Sequence, residues 1–157
     1  RQLDVVVPAP RAGTGCVAVK RHLEVLSREE SLHLLATVPI GRLIYTQHAL
    51  PAVVPVNFVV DGTEVLVRAG YGGALAAGIR GSVVAFEADD FDVATQEGWS
   101  VTVTGQAREE LDSAELRRLA ALHLEPWAAG DRDHFLKIGT EIVTGRRLTR
   151  DVVSAQV

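Results

Sequence analysis

The chain has 157 residues, with 16 lysines and arginines against 20 aspartates and glutamates, and its net charge of −4 argues against nucleic acid as a partner. At 47% hydrophobic and 23% charged residues it reads as one folded domain rather than a disordered chain, and a single cysteine, Cys16, excludes an internal disulfide or a multi-thiolate metal site. No run approaches the roughly 20 apolar residues of a bilayer helix, and the N-terminus lacks a signal pattern, so a cytoplasmic protein without a membrane partner is expected.

Residues 1–26 mix Val5-Val6-Val7 with Pro8, Pro10 and a Gly/Thr/Gly run and sustain neither period, which reads as a flexible extension before a domain at 27–148, with a tail at 149–157. Ser27 followed by Glu30 fits a capping box, and Leu32, Leu35 and Ala36 recur at helical spacing, so a helix is expected from about 28 to 37. Beyond Pro39 and Gly41 the pattern changes to alternating β-branched and aromatic residues, predicting strands near 41–47, 51–60 and 64–69, with Asp61-Gly62 as a hairpin turn. Pro51 and Pro55 lack the N–H of a central ladder position, so part of the second strand is expected to form an edge that a ligand could approach.

Glycines bracket a short helix at 72–80, and strands follow at 82–88 and 99–108. Leu116, Leu119, Ala120 and Leu122 share one face of an amphipathic helix at 112–123, and a last strand covers about 134–146. Hairpin-linked strands in this order predict a mainly β fold, a small antiparallel barrel with two or three helices over its open ends.

The residues that usually carry chemistry are sparse. No two of the five histidines have the i, i+4 spacing of a helical metal pair, and neither a Gly-x-Ser-x-Gly elbow nor a phosphate loop occurs. Asp89-Asp90-Phe91-Asp92 reads as a solvated turn with Asx hydrogen bonds. Arg68, Ala69 and Gly70, followed by Gly72-Gly73 opening a short helix that ends at Arg80, form the juxtaposition best suited to an anion. Gly98-Trp99-Ser100 sets a flat ring beside a hydroxyl at a strand start.

Several stretches together resemble the pyridoxamine 5′-phosphate oxidase-like split barrels, in the actinobacterial branch related to nitroimidazole-resistance proteins. They are Leu26 to Ile44, Pro51 to Phe58, Val65 to Arg80, Val83 to Phe86, Gly98 to Gly105 and Val143 to Arg147. The resemblance implies a six-stranded antiparallel Greek-key split barrel that forms a homodimer. It further implies two flavin clefts between subunits, with FMN as the usual ligand and a deazaflavin coenzyme or haem in some relatives. By position, the flavin ring system would lie along Val54, Pro55, Val56, Asn57 and Phe58, and its phosphate would meet Arg68, Ala69, Gly73 and Ala74. Trp99, Ser100 and Arg146 would come from the partner chain.

Related sequences place Thr or Ser at the position of Ala69 and Lys at that of Ala74, so weak or absent FMN binding is expected. The implied activity is that of an oxidoreductase passing electrons or hydride to a small planar substrate, with no catalytic side chain of its own. A barrel that has lost flavin and serves as a non-enzymatic binding or interaction protein is the alternative. Alternating apolar residues such as Val54, Val56, Phe58, Val101 and Val103 exceed what the short helices cover, which independently suggests a dimer.

Overall fold

The computed structural model describes residues 18–69, 78–122, 124 and 134–153. Ser27 caps the first helix, α1 (Arg28–Leu35): its Oγ accepts from the Glu30 N–H at 3.2 Å while its own N–H donates to the Glu30 carboxylate at 3.1 Å. This reciprocal satisfaction of orphan donors is the capping box read from the sequence. The helix ends at Leu35 rather than near 37 and lays Leu32, Leu34 and Leu35 on the main core.

The strands are β1 (Ala18–Leu26), β2 (Ile40–Gln47), β3 (Leu50–Asp61), β4 (Glu64–Ala69), β5 (Val83–Asp92), β6 (Glu97–Glu109), β7 (His134–Ile138) and β8 (Ile142–Val153). Six of them close an antiparallel barrel in the order β2-β3-β4-β7-β6-β5, while β8 and then β1 extend the sheet beyond β6. Gly62, at φ 62, takes the left-handed position of the β3–β4 turn. Two helices are described, α1 and α2 (Ser113–Ala120), the latter capped by Asp112, whose carboxylate accepts from the N–H groups of Ala114 and Glu115. Of the helix expected at 72–80 only residues 78–80 are described, and Cys16 lies outside the described residues.

Four features differ from expectation. Residues 18–26, placed in the extension, form β1 and pair along their whole length with Gly145–Val153. From Lys20 to Val25 this edge strand is exposed or half-buried without alternation, so no burial period marks it in the local sequence. The tail from 149 continues β8 as far as Val153.

The single last strand is two, because Gly139-Thr140-Glu141 makes a corner. Arg28 donates to the Thr140 carbonyl oxygen and hydroxyl, and Thr140 Oγ1 donates to the Thr63 carbonyl. On either side of this corner, β7 and β8 lie end to end along one edge of β6, pairing with 107–109 and 98–104 respectively. Asp89, Asp90 and Asp92 belong to β5 itself, and Asp92 alone makes the Asx contacts, accepting from Ala94 N at 2.7 Å and Thr95 N at 3.1 Å.

The barrel interior holds Leu43, Val56, Phe58, Val67, Phe86 and Val103, with Phe58 meeting Phe86 edge-on at a centroid distance of 4.6 Å. A smaller core of Leu66, Leu119, Leu124 and Phe135 seats α2 on β4 and β7. The inward-facing Val54, Val56, Phe58, Val101 and Val103 are therefore barrel core, not surface needing a second subunit. The apolar surface lies on the opposite face, where Val53, Ile44, Ala85, Thr104 and Ile142 are joined strand to strand in one row. Val53 is 62% and Ile142 59% exposed in that row, with Val83 at 70% beside it.

Candidate functional site

The site begins with the way β3 is shared between neighbours. It pairs with β2 from Leu50 to Asn57, but with β4 only from Phe58 onward. Among the described residues, positions 50–57 thus have no strand on the side away from β2. Pro51 and Pro55 fall within this stretch, as their missing N–H groups demand.

Phe58 N–H donates to the Pro39 carbonyl at 3.2 Å. By alternation, residues 54, 56 and 58 turn their backbone groups to β2, whereas 53, 55 and 57 turn theirs outward along the open edge. Pro55 offers only its carbonyl there. Side chains alternate as well: Val54, Val56 and Phe58 point into the barrel, while Pro55 and Asn57 face outward, with Asn57 Nδ2 3.4 Å from the Pro39 carbonyl.

The other expected residues are placed as follows. Arg68, on the outer face of β4, lies over the Phe135 ring at 5.6 Å and donates to the Leu124 carbonyl at 3.3 Å. Ala69 ends β4 and pairs with His134. Gly73 and Ala74 lie outside the described residues. Trp99 is buried among the main core residues, so its ring packs the interior. Ser100 faces the opposite way, onto the outer surface of the sheet, opposite Arg146 of β8 and Asp89 of β5.

The structure brings Ser100 and Arg146 together, but not to the β3 edge. From β3 to β6 is three strand spacings, about 14 Å. The intervening outer face carries Arg42, whose Nη1 lies 3.0 Å from Glu87 and 2.7 Å from Asp89. Those hydrogen bonds, the one to Asp89 foremost, raise the guanidinium above its ordinary value.

A second charged group is invisible to local sequence. The Glu109 carboxylate, buried at the end of β6, accepts from Arg80 and lies 2.6 Å from His134 Nδ1. The His134 hydrogen bond and, after it, Arg80 hold Glu109 below the usual carboxylate range against the opposing effect of burial. Its partners are 25 and 29 residues away, which no motif spans. Among the described residues no cluster of His, Cys, Asp and Glu suits a metal ion, and no helix is long and apolar enough to cross a membrane.

Comparison with known proteins agrees with this architecture. The chain is similar to the uncharacterised protein Rv0080 of Mycobacterium tuberculosis, 40% identical over an alignment of 136 positions that covers 83% of this chain and 89% of that protein. It is also similar to the solved structure of an FAD binding protein from Mycobacterium smegmatis, 34% identical, with a TM-score of 0.62 over 80% of this chain and 97% of that one. An FAD-binding protein from Mesorhizobium loti, 23% identical, shares the fold with a TM-score of 0.69 over 82% of this chain and 98% of that one. The family described as pyridoxamine 5′-phosphate oxidase matches residues 27–147, and with its six-stranded antiparallel split barrel the chain belongs to that family.

Proposed function

We propose that this protein binds a flavin against the open edge of β3 and acts as a homodimeric oxidoreductase on a small, planar, oxidised substrate. The observation that carries the reading is the edge itself: a half-strand, residues 50–57, with outward backbone groups and small outward side chains beside Pro55. Such an edge suits a flat heteroaromatic ring with donors and acceptors along its rim. A bound flavin supplies electron or hydride transfer. The chain's own residues orient the ring through the backbone at 53 and 55, and the inward packing of Val54, Val56 and Phe58 keeps that strand rigid. Because Phe58 N–H is engaged by Pro39, the polar contacts come from the residues before it.

The separation of Ser100 and Arg146 from the β3 edge supports a cleft built by two chains, in which a partner's copy of that strand would bring the two groups to the ligand. Ala69 and Ala74 lack the hydroxyl and ammonium expected for the phosphate of FMN. The 34% identical relative is described as an FAD binding protein, which favours FAD as the flavin.

The visible spectrum of the freshly purified protein, followed by titration with FAD and FMN, tests this reading. The expected result is flavin absorption or uptake, with FAD bound at least about tenfold more tightly than FMN. Haem or deazaflavin bands would replace the flavin assignment. A colourless protein that takes up no flavin would place it with the barrels that have no cofactor.

A further inference from the structure

We propose that the outer face of the sheet where β5, β6, β8 and β1 run side by side binds a nucleoside diphosphate, with Arg21 and Arg150 on the diphosphate and the Phe91 ring against the base. Arg21 and Arg150 are direct cross-strand partners. Like charges set opposite one another repel, and among the described residues neither guanidinium has a carboxylate partner. The acidic residues around them are engaged elsewhere. Glu97 takes the Arg150 backbone N–H at 2.9 Å, Asp151 meets His22 at 3.0 Å, Asp92 caps the β5–β6 turn and Asp89 holds Arg42. Two adjacent guanidinium groups without a counter-charge, in a chain of net charge −4, make a local site for a polyanion, and guanidinium matches phosphate oxygens in fork geometry.

The pair is also held in place. Arg21 donates to the side-chain carbonyl of Gln96, and since Gln96 lies just before the β6 residues that pair with β8, the arginine side chain reaches across β8 beside Arg150. Gln96 has φ 60, a left-handed conformation that glycine adopts without strain, so a glutamine stands there at a steric cost. With its oxygen taken by Arg21, its amide NH2 is a further donor to the anion.

Beside the arginines lies a flat apolar shelf. Phe91, Gly98, Leu148 and Leu23 form one row across the four strands. A Cβ at Gly98 would come within 2.5 Å of Phe91 Cδ1, so the ring lies over the glycine, and it remains 47% exposed. An exposed ring face of this kind stacks on a nucleobase. Leu148 and Arg150 are two residues apart on β8, about 7 Å, so shelf and guanidinium pair adjoin, about 20 Å along that strand from the exposed Ile142. The inference does not rest on the flavin reading, although adenosine diphosphate is also one half of FAD.

Calorimetric titration of the full chain with ADP, pyrophosphate, FAD and FMN tests it, for wild type, Arg21→Gln, Arg150→Gln and Phe91→Leu, with melting curves to check the fold. Each arginine variant should weaken ADP and pyrophosphate by about tenfold. Arg150→Gln without ligand should melt no lower than wild type, because a repulsion is removed. Phe91→Leu should weaken ADP and leave pyrophosphate unchanged. If Arg150→Gln weakens FAD along with ADP but spares FMN, the occupant is the adenosine diphosphate half of FAD; if it weakens ADP alone, the occupant is a free nucleotide. A wild type that binds neither ADP nor FAD, or binding that both arginine variants leave unchanged, overturns the inference, and FMN binding that persists leaves the flavin reading standing. Failure of both flavins with ADP still bound sinks the flavin reading alone.

Discussion

At the β2–β3 tip, His48 and Ala49 have φ values of 50 and 64, the left-handed pair of a two-residue hairpin turn whose twist matches its strands. Glycine is the ordinary occupant of the second position, and an alanine there carries about 1 kcal/mol of steric cost. Ala49→Gly should therefore raise stability by roughly 0.5 kcal/mol after the added freedom of the unfolded chain is set against that relief, read as a higher urea midpoint. Gly105 presents the opposite case. A Cβ there would run into the Gly139 carbonyl oxygen and the Glu141 carboxylate at the corner between β7 and β8, and the Gly139 oxygen belongs to a backbone fixed by its bond to β6. Gly105→Ala should cost about 1 to 3 kcal/mol, while Gly78→Ala, where a Cβ would meet nothing among the described residues, should shift the midpoint little.

At the scale of elements, α2 is held by charge as well as by Leu119 on the smaller core. Arg118 joins Asp61 of β3 to Glu115, and Lys137 of β7 lies 2.6 Å from Glu115 and 3.0 Å from Glu110. Burial disfavours the Lys137 charge, yet its two carboxylate partners raise its pKa overall. The hydrogen bonds of Arg118 and then Lys137 lower Glu115 to about 2. Glu110 is lowered first by the Asp112 backbone N–H and then by Lys137.

Carboxylates whose folded pKa lies below the unfolded value, about 4.3, stabilise the fold fully above it and lose that contribution as pH falls through the folded value. Urea midpoints should accordingly drop between about pH 4.5 and pH 2, the value reached by Glu115. Glu115→Gln should flatten the slope in that window; an unchanged slope would show that the α2 network is not its source.

For the whole molecule, the relevant surface is the outer face of the sheet from β3 to β8. The row from Val53 through Ile44 and Ala85 to Ile142 is apolar apart from Thr104, and Val53, Val83 and Ile142 are more than half exposed. Exposed aliphatic groups clustered in this way mark an interaction surface. A homodimer burying about 2,000 Å² or more would cover them and supply the second wall of the flavin cleft. Sedimentation equilibrium should return a dimer at micromolar concentration for the wild type. Val53→Glu combined with Ile142→Asp should give a folded monomer with weakened flavin binding. A wild-type folded monomer would refute both the dimer and the shared cleft.

What the amino-acid sequence determined by itself is local. The capping box of Ser27 and Glu30, the Asp61-Gly62 turn, the alternation of β2 to β4 and the open stretch marked by Pro51 and Pro55 each depend on residues within about a turn or a strand of one another. Tertiary structure decided what depends on distant partners. β1 exists because β8 offers it an edge some 120 residues later, and the last strand divides because Arg28 and Thr63 hold Thr140 at a corner. Trp99 and Ser100 part company because adjacent residues of a strand face opposite sides of the sheet. Glu109 gathers Arg80 and His134 only once β6, β7 and the segment at 80 meet at one end of the barrel, since a charge cluster assembled by long-range pairing leaves no spacing in the sequence to read.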